Sequence, residues 1–155
     1  MVKFDSRTSR KRGGGPPVGQ AWVWLTSTML GSISFGALGV SALRILAFLL
    51  HEHACHGGAE NGNLTATYIQ LKQWGLTPAD IRKGFAELRI IGFVDLTHQG
   101  LRVADGRDPS RYALTWYSTR GAFGEGVTPP SNRWQKVIKA FPRHRVGNVV
   151  ERLVL

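Results

Sequence analysis

The sequence has 155 residues, a single cysteine, few acidic residues and no long apolar run. A lone thiol at Cys55 excludes a framework of internal disulfides and suits a reducing compartment. The longest apolar stretch, residues 38–50, contains Arg44 and is too short to span a bilayer. Residues 21–36 are interrupted by Thr, Ser and Gly, so they lack the apolar centre of a secretory signal. We therefore expect a cytoplasmic protein without a membrane partner.

The shortage of acidic residues leaves a formal net charge of +10, which is concentrated at the two ends of the chain. Residues 1–20 contain five basic residues and one acidic residue, and residues 131–155 contain six and one. The intervening residues 21–130 are nearly neutral, with nine basic and eight acidic residues. Basic tails on a neutral body favour a polyanionic partner, because contacts to phosphates release counterions. The alternative is that the tails serve solubility alone.

Composition divides the chain into four segments. Residues 1–20 form a basic arm that ends in a glycine-proline run and cannot bury a core, so we expect it to be flexible. Residues 21–118 form the folded domain, and residues 119–130 are a glycine-proline linker. Residues 131–155 are a basic C-terminal extension, in which a short helix is predicted through Ala140.

The end of the extension carries an apolar stripe at helical spacing, made of Val146, Val149, Val150, Leu153 and Val154. Apolar residues in this arrangement require burial. The stripe predicts either a homodimer interface or a segment that folds back on its own domain.

Hydrophobic periodicity predicts three main helices in the domain. The first runs from Gly39 to His53, and a shorter helix is expected before it, over residues 26–33. The second runs from Tyr68 to Trp74 after a capping Thr67, with Ile69 and Leu71 as its core contacts. The third occupies residues 77–91: Thr77 caps it, proline follows at its first position, and Gly92 ends it. Its predicted core face is Ile81, Phe85 and Leu88.

The hydrophobic period then changes from 3.6 to 2, which is typical of strands. Residues 93–97 and 111–117 are predicted strands around a loop at residues 98–110, and together they form a hairpin. A further short strand is expected at residues 64–66, and residues 22–25 are either a strand or a packed segment. The fold class is therefore α+β.

Two segments carry a specific resemblance. Trp74-Gly75-Leu76-Thr77, followed by a helix that ends in Leu88-Arg89-Ile90-Ile91-Gly92-Phe93-Val94, resembles the pattern of the winged helix-turn-helix superfamily. The wider stretch, with Asn61-Gly62-Asn63-Leu64 and Ser110-Arg111-Tyr112-Ala113-Leu114-Thr115, resembles small bacterial helix-turn-helix proteins associated with phages, plasmids and mobile elements. The resemblance implies a three-helix core with a β-hairpin wing, and double-stranded DNA as the partner.

The resemblance also implies how DNA is contacted: helix 77–91 lies in the major groove, while the wing and the basic tails hold phosphate. Small residues allow close approach to the groove, and Arg and Lys pair with guanine edges or with phosphates. The predicted DNA-binding residues are Thr77, Ala79, Arg82, Lys83, Ala86 and Arg89 on the helix, Arg102 and Arg107 on the wing, and Arg10, Lys11 and Arg12 on the arm. Asp105 and Asp108 reduce the positive charge of the wing. The alternative is that Arg82 and Lys83 form an ordinary solvated helix face.

We therefore expect a nucleoid-associated DNA-binding protein, most simply a transcriptional regulator. One alternative is a replication or partition factor of a mobile element, and another is a winged-helix adaptor that binds proteins. No catalytic motif is recognisable, so neither an enzyme nor a cofactor is expected.

Two local features have competing interpretations. His51, His53, Cys55 and His56 fall within six residues, but two of them on one helix face do not complete a metal site, so a structural role is favoured. Trp134 lies between Arg133 and Lys136, where it either stacks on a base or packs against the domain. Packing is the favoured interpretation.

Overall fold

The computed structural model describes residues 18–103, 106–120 and 126–140. Its helices are α1 Ser27–Leu30, α2 Ile33–Gly36, α3 Val40–Cys55, α4 Tyr68–Gln73, α5 Pro78–Ile91 and α6 Arg133–Ala140. Its strands are β1 Leu64–Thr65, β2 Val94–His98, β3 Arg102–Val103, β4 Gly106–Arg107, β5 Arg111–Leu114, β6 Thr119–Arg120 and β7 Val127–Thr128. The predicted α+β class is confirmed. No helix within these ranges is long and apolar enough to cross a membrane.

The starts of α4 and α5 follow from their capping residues, as the sequence predicts. Thr67 and Thr77 each accept a hydrogen bond from the backbone N–H three residues later, and Gln70 and Asp80 bond back to complete two capping boxes. Helix α5 ends at Gly92, whose φ of 87° is left-handed. The N–H groups of Gly92 and Phe93 both donate to the carbonyl of Leu88, at 3.0 and 2.9 Å.

The main sheet has three antiparallel strands in the order β1-β5-β2. Leu64 pairs with Tyr112 on one side of β5, and Val94 pairs with Leu114 on the other. Before β1 begins, the buried side chain of Asn61 bonds to the end of β5: it accepts from Leu114 N at 2.7 Å and donates to Leu114 O at 2.9 Å. Strands β3 and β4 form a small hairpin between β2 and β5, and β6 pairs with β7.

The core is built where α5 crosses α3. Ile81, Leu88 and Ile91 are fully buried on α5, and Ile45 and Leu49 are fully buried on α3. The two helices come close because α5 presents a glycine at the crossing. A Cβ atom on Gly84 would lie 2.6 Å from Ile45 Cδ1 and 3.1 Å from Ala42 N.

Helix α6 packs onto this domain. Trp134 is 4% exposed, and its ring stacks on Phe93 with centroids 6.0 Å apart and planes 6° apart. The Ser34 hydroxyl donates to the carbonyl of Trp134 at 2.9 Å, which ties α6 to α2. The favoured interpretation of Trp134 as a packing residue is confirmed.

Several details differ from the sequence predictions. The short helix predicted over residues 26–33 is two helices, because Ser32 caps a new one by accepting from Phe35 N at 3.1 Å. Ile69 is 73% exposed rather than in the core, since six-residue α4 buries only one narrow face, through Leu71. The predicted strand from Arg111 ends at Leu114, and residues 22–25 form no strand. Two short strands lie within the predicted linker, whereas the apolar stripe lies outside the described residues.

Candidate nucleic-acid interface

Helix α5 presents one face to solvent. At about 100° per residue, its buried positions centre on Gly84 and Leu88, which leaves the opposite side uncovered by the other described elements. Ala79, Arg82, Lys83 and Arg89 are exposed there, and Ala86 is half-buried. Five of the six helix residues predicted to bind DNA therefore lie on one surface, which we call the α5 face.

The sixth predicted residue, Thr77, is exposed at the start of the helix, but its side chain is engaged. Its hydroxyl donates to Asp80 Oδ2 at 2.6 Å and accepts from Asp80 N at 3.2 Å. The hydrogen bonds from Thr77 hold the pKa of the Asp80 carboxyl below its usual value. Thr77 therefore fixes where α5 begins, and with it the rotation of the α5 face.

Both carboxylates of α5 are directed toward α3. Asp80 Oδ1 accepts from the Ser41 hydroxyl at 3.2 Å, and Glu87 Oε1 accepts from Gly39 N at 2.7 Å. Gly39 is the N-cap of α3 and has no capping side chain of its own, so buried Glu87 supplies the negative charge that a helix N-terminus favours. The α5 face therefore carries the three cations of the helix and neither of its acids.

Two basic side chains from other elements lie near the two ends of α5, and the sequence did not identify either as a site residue. Arg44 on α3 is exposed and lies beside the α4–α5 turn, with its Nη1 3.4 Å from the carbonyl of Gly75. Arg133 on α6 pairs with Asp95 and donates to the carbonyl of Arg89 at 3.1 Å. The only feature of the sequence that pointed to Arg44 was its position inside the otherwise apolar run of α3.

A groove of about 540 Å³ runs along the C-terminal half of α5. It is lined by Ala86, Arg89, Ile90, Asp95, Leu96 and Arg133. Because Arg133 neutralises Asp95, the acidic side chain in this groove is compensated. The groove extends the surface of α5 toward β2 and α6.

The hairpin between β2 and β5 places two predicted residues opposite each other, since Arg102 in β3 pairs with Arg107 in β4. At its base, Asp108 lies 2.5 Å from His98 Nε2 and 3.6 Å from Arg111 Nη2. Asp108, which the sequence suggested would weaken a basic wing, is therefore paired internally. The arm residues Arg10, Lys11 and Arg12 lie outside the described residues.

The histidine cluster divides between the surface and the core. His51 Nε2 lies 3.6 Å from the sulfur of exposed Cys55, and His56 bonds to Glu52 at 3.3 Å. His53 is buried instead, at 1% exposure. Among the described residues, no three His, Cys, Asp or Glu side chains come close enough together to hold a metal ion.

No protein family, curated protein or solved structure matches this chain.

Proposed function

We propose that this chain is a winged helix-turn-helix protein that binds double-stranded DNA through the α5 face. The order of elements supports the fold: helix α3, strand β1, helices α4 and α5 around a tight turn, then β2, a hairpin and β5. Gly75, with a φ of 78°, and buried Leu76 form that turn. A second helix that follows a first one so closely is the arrangement that presents a recognition helix.

The observation that carries the proposal is the separation of charge on α5. Its cations Arg82, Lys83 and Arg89 are exposed, while Asp80 and Glu87 face α3. An outward helix face with small residues between basic ones fits a major groove, where Arg pairs with guanine and Lys with phosphate. The excess of positive charge in residues 1–20 and 131–155 supports additional phosphate contacts.

Within DNA biology, transcriptional regulation is the role we propose, because a helix in the major groove reads sequence. A replication or partition factor would use the same face. Selection of bound duplexes from a random pool separates specific from nonspecific binding, and a palindromic consensus would support a homodimer.

A double substitution on the α5 face tests DNA binding. Arg82→Ala with Lys83→Ala should spare the fold, since both side chains are exposed, and should weaken binding to a selected duplex by about tenfold or more. The matched control is Ala47→Glu with Ala59→Glu. Both alanines are exposed away from α5, and the control lowers the net charge by the same amount. The proposal predicts that the control binds much more tightly than the double variant.

Two outcomes would contradict the proposal. If the double variant keeps the melting temperature and full DNA affinity of the original chain, α5 is not a recognition helix. If the control loses as much affinity as the double variant, only overall charge matters and the α5 face has no special role.

A protein-binding adaptor is the second candidate, and exposed apolar side chains on α4 favour it. Tyr68 is 45% exposed and Ile69 is 73% exposed, at adjacent positions of the helix. Large apolar side chains grouped at a surface often mark a protein contact. If no variant of α5 loses DNA binding, the adaptor is the favoured candidate.

A further inference from the structure

A pocket of about 350 Å³ lies at the C-terminal end of α3, built by residues that the proposed DNA contact does not use. Its walls include Trp22, Trp24 and Tyr117, and its remaining lining includes His53, Ala54 and Gly58. Trp22 is 60% exposed, although a tryptophan of a folded domain usually buries most of its surface. Aromatic side chains around an open concave site are typical of small-molecule binding.

The aromatic wall is fixed in place by hydrogen bonds. Trp24 N donates to the Tyr117 hydroxyl at 2.8 Å, and Trp116 Nε1 donates to the carbonyl of Trp24 at 3.3 Å. The rings of Trp24 and Tyr117 are 4.8 Å apart. The segment before α1 has no regular secondary structure, yet these bonds hold Trp24 against the domain, so this part of the pocket wall is in place before a ligand arrives.

The buried imidazole of His53 supplies an unused hydrogen-bonding group. Neither Nδ1 nor Nε2 has a partner among the described residues, which is rare for a buried polar side chain. Burial, and then the nearby charge of His56, lower the pKa of His53 below its ordinary value of 6.5, so the ring is neutral at pH 7. A neutral imidazole offers one donor and one acceptor.

Both nitrogens of the imidazole are enclosed in this structure, and Gly58, which lines the pocket, lies next to the ring. A Cβ atom on Gly58 would be 3.7 Å from His53 Nε2. Gly58 has a φ of 73°, and its N–H donates to the carbonyl of His53 at 2.9 Å, so it ends the helix and leaves this edge of the ring uncovered by a side chain.

We infer that this pocket binds a small, neutral, planar aromatic molecule, which displaces the glycine backbone beside His53 so that its edge hydrogen-bonds to the imidazole. The aromatic walls select a flat molecule, since rings stack best on rings. Among the described residues that line the pocket there is no Asp, Glu, Lys or Arg, so a charged ligand would lose its hydration without a compensating charge from them. The inference does not rest on DNA binding, and its test uses the protein alone.

The test is a titration of the full chain with phenol and with indole, followed by the side-chain N–H signals of the tryptophans in NMR spectra. We expect saturable shifts of the Trp22 and Trp24 signals with both probes. Cyclohexanol has the hydroxyl of phenol without its flat ring, and benzoate has the ring with a charge. Both should bind about tenfold more weakly or not at all, a difference of about 1.4 kcal/mol.

Two variants connect binding to this pocket. Ala54→Leu reduces the space from a helical position that tolerates leucine, and His53→Phe removes both nitrogens while keeping an aromatic ring. Each should weaken phenol binding by about tenfold or more. Ala47→Leu makes the same change on an exposed position two turns earlier in α3 and should leave binding unchanged.

Three results would overturn the inference. The first is that neither phenol nor indole gives saturable shifts. The second is that Ala54→Leu binds phenol as tightly as the original chain does. The third is that cyclohexanol binds as tightly as phenol.

Discussion

Gly84 shows how a single residue sets the distance between two helices. Its Cα brings α5 against the backbone of α3, where a Cβ atom would meet Ala42 N at 3.1 Å and Ile45 Cδ1 at 2.6 Å. Although alanine favours a helix more than glycine does, we expect Gly84→Ala to lower the free energy of unfolding by about 1–3 kcal/mol, because the added methyl group overpacks the core. Urea denaturation measures the change.

Gly36→Ala is the control for this prediction, since nothing lies within 4 Å of a Cβ atom built there. Alanine at Gly36 should be neutral or should stabilise the protein by about 0.5–1 kcal/mol. A Gly84→Ala variant that is as stable as Gly36→Ala would show that α3 and α5 separate without cost.

His53 predicts a pH dependence of stability. Its pKa is lowered in the folded protein, first by burial and then by His56, and it lies against the Tyr117 ring at a centroid distance of 4.4 Å. The unfolded chain therefore takes up the proton first as pH falls through 6.5, and the folded state loses stability from there down to the lowered folded pKa. Urea denaturation between about pH 8 and pH 5 should show a smaller loss in His53→Phe than in the original chain. Equal losses in the two proteins would assign the pH dependence to other groups.

At the scale of elements, α6 behaves as part of the domain, because Trp134 closes the core beside Phe93. Trp134→Ala should lower the free energy of unfolding by about 3–5 kcal/mol, since it leaves a cavity under α6. Trp22→Ala is the matched control: the same side chain is removed from a position that is 60% exposed, and stability should change little. Equal effects of the two substitutions would mean that α6 does not seal the core.

The elements that the sequence predicts well are those with local signals. The ends of helix α5 are predicted within a residue because Thr77, proline and Gly92 mark them chemically. The prediction for Ile69 is wrong because a six-residue helix has too few turns for periodicity to choose its buried face. Strands β3 and β4 are two residues long, which is shorter than any pattern can reveal.

The candidate site is predictable only where it lies on one helix. Arg82 and Lys83 face solvent as the spacing of Ile81 and Leu88 requires. Arg44 from α3 and Arg133 from α6 lie near the two ends of α5, and Glu87 turns inward to cap α3. These placements depend on how distant elements pack, so apart from the arginine within the apolar run of α3 no local pattern in the sequence indicates them.

For the whole molecule, the distribution of charge predicts how DNA binding responds to salt. The domain is nearly neutral, so phosphate neutralisation by the basic arm should make up a large part of the counterion release on binding. Deleting residues 1–15 removes Lys3, Arg7, Arg10, Lys11 and Arg12. The deletion should weaken binding to all duplexes and reduce the slope of log affinity against log salt by about 0.9 for each phosphate that is no longer neutralised. Fluorescence anisotropy with a labelled duplex at several salt concentrations measures this slope.

A full-length variant distinguishes the effect of the charge of the arm on DNA binding from the effect of its presence. Replacing Lys3, Arg7, Arg10, Lys11 and Arg12 by glutamine keeps the arm but removes all of its positive charges, so its salt slope should match that of the deletion if the arm acts through phosphates. Sequence preference should persist in both variants, because base contacts are assigned to the α5 face rather than to the arm. If neither the slope nor the sequence preference changes in either variant, the arm does not contact DNA. If the slope is unchanged but sequence preference disappears, the arm reads bases and the division of labour proposed between arm and helix is wrong.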